Sequence, residues 1–156
     1  MGRLFQEPLK SFRFLVEIEG RKSAVAAFTG FSGIQMEVDT LQVRSGNDIR
    51  GVQEYVPIGT RFFPVTLTKG VVGDDEFLDW LFSVAAGPNA GPKTGLPRRT
   101  LNIVALDDHG DRGVTWTLYN AMPIRYQLTP MDGGRSEVLS ESITFAITGV
   151  ERKTGA

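Results

Sequence analysis

The chain has 156 residues, 41% of them hydrophobic, with ten Phe and two Trp, which suits one domain (1–156) with a real core rather than a disordered chain. Charged residues make up 22% and the formal net charge is −1, so no basic stripe exists to capture nucleic acid sequence-specifically or to hold the monomer on an anionic membrane. The absence of cysteine excludes disulfides, thiol catalysis and Cys-ligated metal, and a single histidine, His109, excludes a paired-His metal site within one chain.

The opening residues MGRLFQEPLKSF lack the apolar core of a signal peptide, and no apolar run reaches the ~18–20 residues of a membrane helix. The sequence therefore predicts synthesis in the cytoplasm. Ser11–Glu19 alternates, with Phe12, Phe14, Val16 and Ile18 on one face, as a half-buried strand does. Gly20-Arg21-Lys22 turns the chain, and Ser23–Thr29 reads as a short second strand ending at Gly30. Ile34–Val43 alternates again, but its apolar set changes phase near Asp39-Thr40, which predicts a bulge or bend there.

The next stretch, Val43–Phe62 (VRSGNDIRGVQEYVPIGTRF), is the least ordinary. Loops beyond ~12–15 residues are usually functional or disordered, and this one is rich in Val, Ile, Tyr and Phe. It reads as a long extended arm (about 43–62), two short extended pieces around a flexible tip, with a break at Val56-Pro57-Ile58-Gly59. The expectation is that it grips another subunit through Val43, Arg44, Asp48, Ile49, Arg50, Val52, Tyr55, Ile58, Arg61 and Phe62.

Phe63–Lys69 follows as a strong strand. One helix (about residues 74–85) opens at Asp74, a good N-cap, with Asp75 and Glu76 where the helix dipole favours negative charge. Phe77, Trp80, Leu81 and Val84 fall at i, i+3, i+4 and i+7, one apolar stripe for packing, and Gly87-Pro88 stops the helix. Ala85–Arg99 is a Gly- and Pro-rich loop. Thr100–Leu106 and Val114–Ala121 form a hairpin around Asp107–Asp111, with Pro123 ending the return strand. Ile124–Leu128 starts another extended piece, and Glu137–Val150 closes the chain as one long strand with Leu139, Ile143, Phe145 and Ile147 on one face. The fold class is mainly β: an antiparallel β-barrel/sandwich, closed or nearly so, with one flanking helix.

Two stretches imitate chemistry. Gly87–Thr94 (GPNAGPKT) nearly fits a phosphate loop, but Pro92 stands where glycine is required and the loop leaves a helix instead of entering one. Asp107-Asp108-His109-Gly110-Asp111 lacks the EF-hand spacing and is ordinary hairpin composition. With no nucleophile–base spacing, neither an enzyme nor a cofactor is expected.

The order of pieces resembles the tail tube proteins of contractile phages and phage-tail-like injection particles. The matching pieces are FRFLVEIEG, FSGIQMEVDT, LTKGVVGDDEFLDWL, LNIVALDDHGDRGVTWTLYNAMPIRY and SEVLSESITFAITGV. LTKGV…FLDW followed by W-x-L-x-N-A-x-P is the most specific combination. The resemblance implies hexameric rings of this chain, stacked into a hollow tube inside a contractile sheath. It implies as partners the sheath protein, baseplate or hub proteins, tube-terminator proteins, and a tape-measure protein or cargo in the lumen. The rival readings are a baseplate-proximal tube-initiator paralogue and, from another class, a monomeric β-barrel ligand- or peptide-binding module.

Overall fold

The computed structural model describes residues 14–19, 25–26, 28–44, 46, 50–71, 76–85, 98–134 and 139–155. The expected strand residues 11–13 and 23–24, the expected turn at 20–22, the Asp74 cap and the loop at 86–97 with its GPNAGPKT motif lie outside these residues.

In chain order the elements are β1 (Phe14–Ile18), β2 (Val25–Ala26), β3 (Gly30–Phe31), β4 (Met36–Arg44), β5 (Gln53–Phe62), β6 (Val65–Gly70), α1 (Glu76–Ala85), β7 (Arg99–Leu106), β8 (Arg112–Leu128), β9 (Ser140–Ala146) and β10 (Gly149–Thr154). Every pairing is antiparallel. The main path runs β2-β1-β7-β8-β9-β6-β3, with β10 also on β8, while β4 and β5 make a separate two-stranded sheet. This is the mainly β, antiparallel architecture with one helix that the sequence predicts, open rather than a closed barrel among the described residues. The path ends in two strands of two residues each, β2 and β3, which do not pair with one another among the described residues.

β8 is 17 residues long and serves two layers. Its first part pairs with β7 and β10, and its second part, from Met122, pairs with β9. The expectation that Pro123 ends the strand fails because the chain turns a corner here instead of stopping. Asn120 takes a left-handed conformation, φ 53°, and Pro123 sits at a register shift between Pro123 and Arg125. Asn visits that region more readily than other side-chain-bearing residues, and proline is tolerated where a ladder is interrupted.

The closing strand is likewise two strands, not one. β9 ends at Ala146, and Ile147-Thr148 carries the chain across to β10 on the other layer. The two corners are tied together. Thr148 N donates to Tyr119 O at 3.1 Å and Asn120 Nδ2 donates to Thr148 Oγ1 at 2.9 Å.

Between the layers lies the core: Val16, Ile18, Leu101, Ile103 and Leu118 from one side, and Val65, Leu67, Ile143 and Phe145 from the other. Helix α1 packs its stripe into this space. Phe77, Trp80 and Leu81 are buried, and Val84 packs half-buried against them. Phe77 meets Phe28 edge-on with centroids 5.1 Å apart, and Trp80 lies 5.3 Å from Phe145. Such aromatic pairs add about 0.5–1.5 kcal/mol beyond the area they bury. The Arg99 guanidinium sits 5.2 Å over the Trp80 ring.

One ion pair is sealed into the β6–β9 ladder. Lys69 and Glu141 are direct partners across the strands, 3% and 2% exposed, with Nζ 3.5 Å from Oε1. Glu141 Oε2 accepts a 2.7 Å bond from Tyr126 Oη. That bond raises the Tyr126 hydroxyl above its ordinary 10.0, with burial and the charge of Glu141 acting the same way.

Two outcomes follow from these contacts. Asn120→Val should lower unfolding free energy by about 1–2 kcal/mol, the cost of forcing a branched residue left-handed, and Asn120→Gly by less, in urea titrations. Lys69→Met alone should cost about 3–5 kcal/mol by stranding a buried carboxylate, whereas Lys69→Met with Glu141→Leu should recover most of it.

Candidate interaction hairpin

A chain entering β4 leaves the main fold beside Gly33, whose φ of 85° suits only glycine at low cost, and returns at Phe63, whose N donates to Gln35 O at 3.0 Å. Between these points the arm is a two-stranded hairpin with strands of nine and ten residues, longer than the two short pieces expected, and most of the expected tip, residues 45 and 47–49, lies outside the described residues. β4 and β5 pair continuously from Met36↔Phe62 to Arg44↔Gln53. The Pro57 break signal does not end the strand, because both strands of a two-stranded ribbon are edges and proline is tolerated there.

The phase change in β4 coincides with a register shift. Asp39 pairs with Gly59 and Thr40 with Pro57, so Ile58 is the extra residue. The bulge lies on β5, opposite the position where the sequence of β4 signals it.

Almost the whole hairpin is exposed. Of the residues expected to make contacts, Val43, Arg44, Val52, Tyr55, Ile58 and Arg61 are exposed. Arg50 is exposed just before Gly51. Phe62 is half-buried and packs against the core cluster, so it anchors the hairpin at its base. Asp48 and Ile49 lie outside the described residues. The sequence reading did not name Met36, Val38, Leu41 and Val56, which belong to the same exposed apolar set. The signal was present, since the alternation in β4 was legible, but alternation alone does not tell a core strand from one that awaits a partner.

Polar side chains on the hairpin satisfy one another. Arg61 bridges Asp39 Oδ1 at 3.1 Å and Glu37 Oε2 at 3.2 Å, and Gln42 Nε2 donates to Tyr55 Oη at 2.8 Å. A smaller apolar surface lies on the second part of β8. Ile124, Tyr126 and Leu128 are exposed, and the Tyr126 ring lies 6.1 Å from that of Phe82 on α1. This stretch pairs with β9 on one side only among the described residues.

The Asp107–Asp111 stretch is a turn. Asp107 Oδ1 accepts from His109 N at 2.9 Å and Asp111 N at 2.8 Å, and Gly110 has φ 82°. Among the described residues no group of three or more His, Cys, Asp or Glu side chains is placed to hold a metal ion.

A family model described as T4-like virus tail tube protein gp19 matches residues 10–151. No curated protein matches the sequence. Among solved structures, a chain of the anti-feeding prophage baseplate, 6-fold symmetrised, superposes with TM-score 0.80 at 20% identity, covering 96% of this chain and 98% of that one. A chain of the sheath–tube complex of an extracellular contractile injection system in its extended state gives 0.74 at 23% identity, covering 94% and 92%. Hcp1 from Flavobacterium johnsoniae gives 0.59 at 13% identity, covering 92% and 97%. At these identities the likeness is one of fold.

The Arg61 bridges are solvent-exposed, so Arg61→Ala should change unfolding free energy by less than about 1 kcal/mol. Denaturant titration of the two proteins checks this.

Proposed function

We propose, from the premise that the chain belongs to the tail tube protein family typified by the T4-like virus tail tube protein gp19, that it builds the inner tube of a contractile, phage-tail-like injection particle. Six copies form a ring, rings stack, and the stack is a hollow conduit inside a sheath. Its role is structural, and its partners are further copies of itself, sheath protein, and the baseplate and terminator proteins at the two ends of the tube.

The observation that carries this reading is the hairpin. Met36, Val38, Leu41, Val43, Val52, Tyr55, Val56 and Ile58 all stand in solvent, the last but one of the β5 set reaching 43% and Ile58 65% exposure. A monomeric domain seldom leaves so many large apolar side chains of one hairpin in solvent. The outer edge of the second part of β8 supports it as well, because among the described residues it has no partner strand, and an edge with Ile124, Tyr126 and Leu128 beside it invites a strand from another chain. The two surfaces are different, so contacts of one copy's hairpin with the body of another are heterologous, and such contacts close into rings when the rotation allows. The structures of similar fold come from a baseplate and from a sheath–tube complex, which agrees with the same reading.

Electron microscopy of the purified protein tests the proposal. Rings or filaments with a central hole are expected, and a chain that stays monomeric at high concentration in the presence of a baseplate template overturns it. Replacing Asp39–Gly59 with Asn-Gly closes the hairpin at the Val38↔Thr60 pair with a favoured two-residue turn. The shortened chain should keep its circular dichroism spectrum and lose polymer growth. Normal growth of that variant would remove the hairpin from the assembly.

A further inference from the structure

The chain from β3 through the hairpin to β6 is one unit with a narrow attachment. The three pieces are consecutive, the hairpin is a sheet of its own, and β3 is held on β6 by bonds from Thr29 N to Thr68 O at 2.8 Å and from Ser32 N to Thr66 O at 2.9 Å. Among the described residues, the one ladder that joins this unit to the rest of the sheet is β6 on β9. Where β6 sits along β9 therefore sets where the hairpin leaves the body.

The alternation of the two strands does not fix that position. Val65 and Leu67 of β6 and Ile143 and Phe145 of β9 face the core, while Thr66, Thr68, Ser142 and Thr144 line the opposite face. A one-residue slip would turn every side chain to the wrong face, but a two-residue slip keeps the faces. Slipped one way, Leu67 would lie opposite Phe145 and Thr68 opposite Thr144. Slipped the other way, Val65 would lie opposite Ile143 and Thr66 opposite Ser142. Apolar still meets apolar, and hydroxyl still meets hydroxyl, as Thr66–Thr144 and Thr68–Ser142 do at 3.0 Å in the native register.

Lys69 and Glu141 break this degeneracy. They are direct partners in the native register and both are buried. The first slip would set Lys69 against Ile143, and the second would set Glu141 against Leu67. A buried charge parted from its partner shifts an equilibrium by more than about a hundredfold. Glu141 also accepts the Tyr126 hydroxyl of β8 at 2.7 Å, so its carboxylate is held from both neighbouring strands.

We infer that the Lys69–Glu141 pair is a positioning device: it selects the single β6–β9 register and with it the place from which the hairpin projects. A two-residue slip carries the base of the ribbon about 7 Å along β9, far enough to lose a contact made by its side chains. This role belongs to the single chain and does not depend on the tube reading. It separates two properties of the pair, since its joint replacement by apolar residues leaves the fold stable and removes the uniqueness of the register.

The chain contains no cysteine, so introduced pairs can report the register as disulfides. Thr68 turns its carbonyl to β3, which makes Thr68 and Ser142 a non-hydrogen-bonded pair with Cα atoms about 4.5 Å apart, within disulfide reach. Thr68→Cys with Ser142→Cys reports the native register. Thr68→Cys with Thr144→Cys, and Thr68→Cys with Ser140→Cys, report the two slips, because in the native register these positions are diagonal neighbours about 7–8 Å apart, too far to bridge. Each pair is oxidised briefly in the folded protein and scored on non-reducing gels. With Lys69 and Glu141 in place, the native pair alone should crosslink. With Lys69→Met and Glu141→Leu, urea unfolding should stay cooperative, and the yield of at least one slip pair should rise at least about tenfold. Crosslinking confined to the native pair in the folded, doubly substituted chain overturns the inference. A doubly substituted chain that does not fold overturns it too, because the pair is then required for the fold itself and not for its register.

Discussion

One strand holds this fold together. β8 begins in one layer beside β7 and β10, turns at Asn120, and finishes in the other layer beside β9. The chain makes the same crossing a second time between β9 and β10, and the Asn120–Thr148 and Thr148–Tyr119 bonds tie the two crossings to each other. The space this leaves between the layers is filled by α1, whose Phe77 and Trp80 reach Phe28 and Phe145. Without the corner the layers would have no common strand, and the helix stripe would have no closed wall to pack against.

That corner also explains which parts of the fold were legible in the sequence. Signals carried by local periodicity were read well: the Phe77, Trp80, Leu81 and Val84 stripe, the alternation of β1 and β6, and the turn at Asp107–Asp111. Signals that mean different things in different settings were not. Pro123 and the Ile147-Thr148 step occur where a strand changes layers, which needs a left-handed Asn and a register shift that no composition rule encodes. Pro57 looked like a break because the ribbon's freedom at its edges is a property of pairing, not of the residue.

At the hairpin, the sequence placed the feature and misjudged its form. The phase change at Asp39-Thr40 pointed to a bulge, and a bulge is there, but its extra residue is Ile58 on the other strand. By sequence Met36, Val38 and Leu41 read as strand residues and Val56 as part of a break, none of them as a surface. A strand residue that faces a core and one that faces a neighbouring molecule have the same periodicity, and only three-dimensional exposure separates them. The family resemblance supplies what periodicity cannot, namely the expectation of a partner.

The hairpin belongs to a sheet of its own and shares no ladder with the rest of the described residues. Two-stranded ribbons are marginally stable by themselves, whereas the body has its own closed core. The domain can therefore finish folding while the ribbon's final shape is settled by what it docks on. In the proposed assembly part of the docking energy is spent on ordering the ribbon, so a badly seated subunit is held loosely. In the proposed tube that is a means of error correction: a misplaced subunit leaves before it is covered, and a correctly seated one stays.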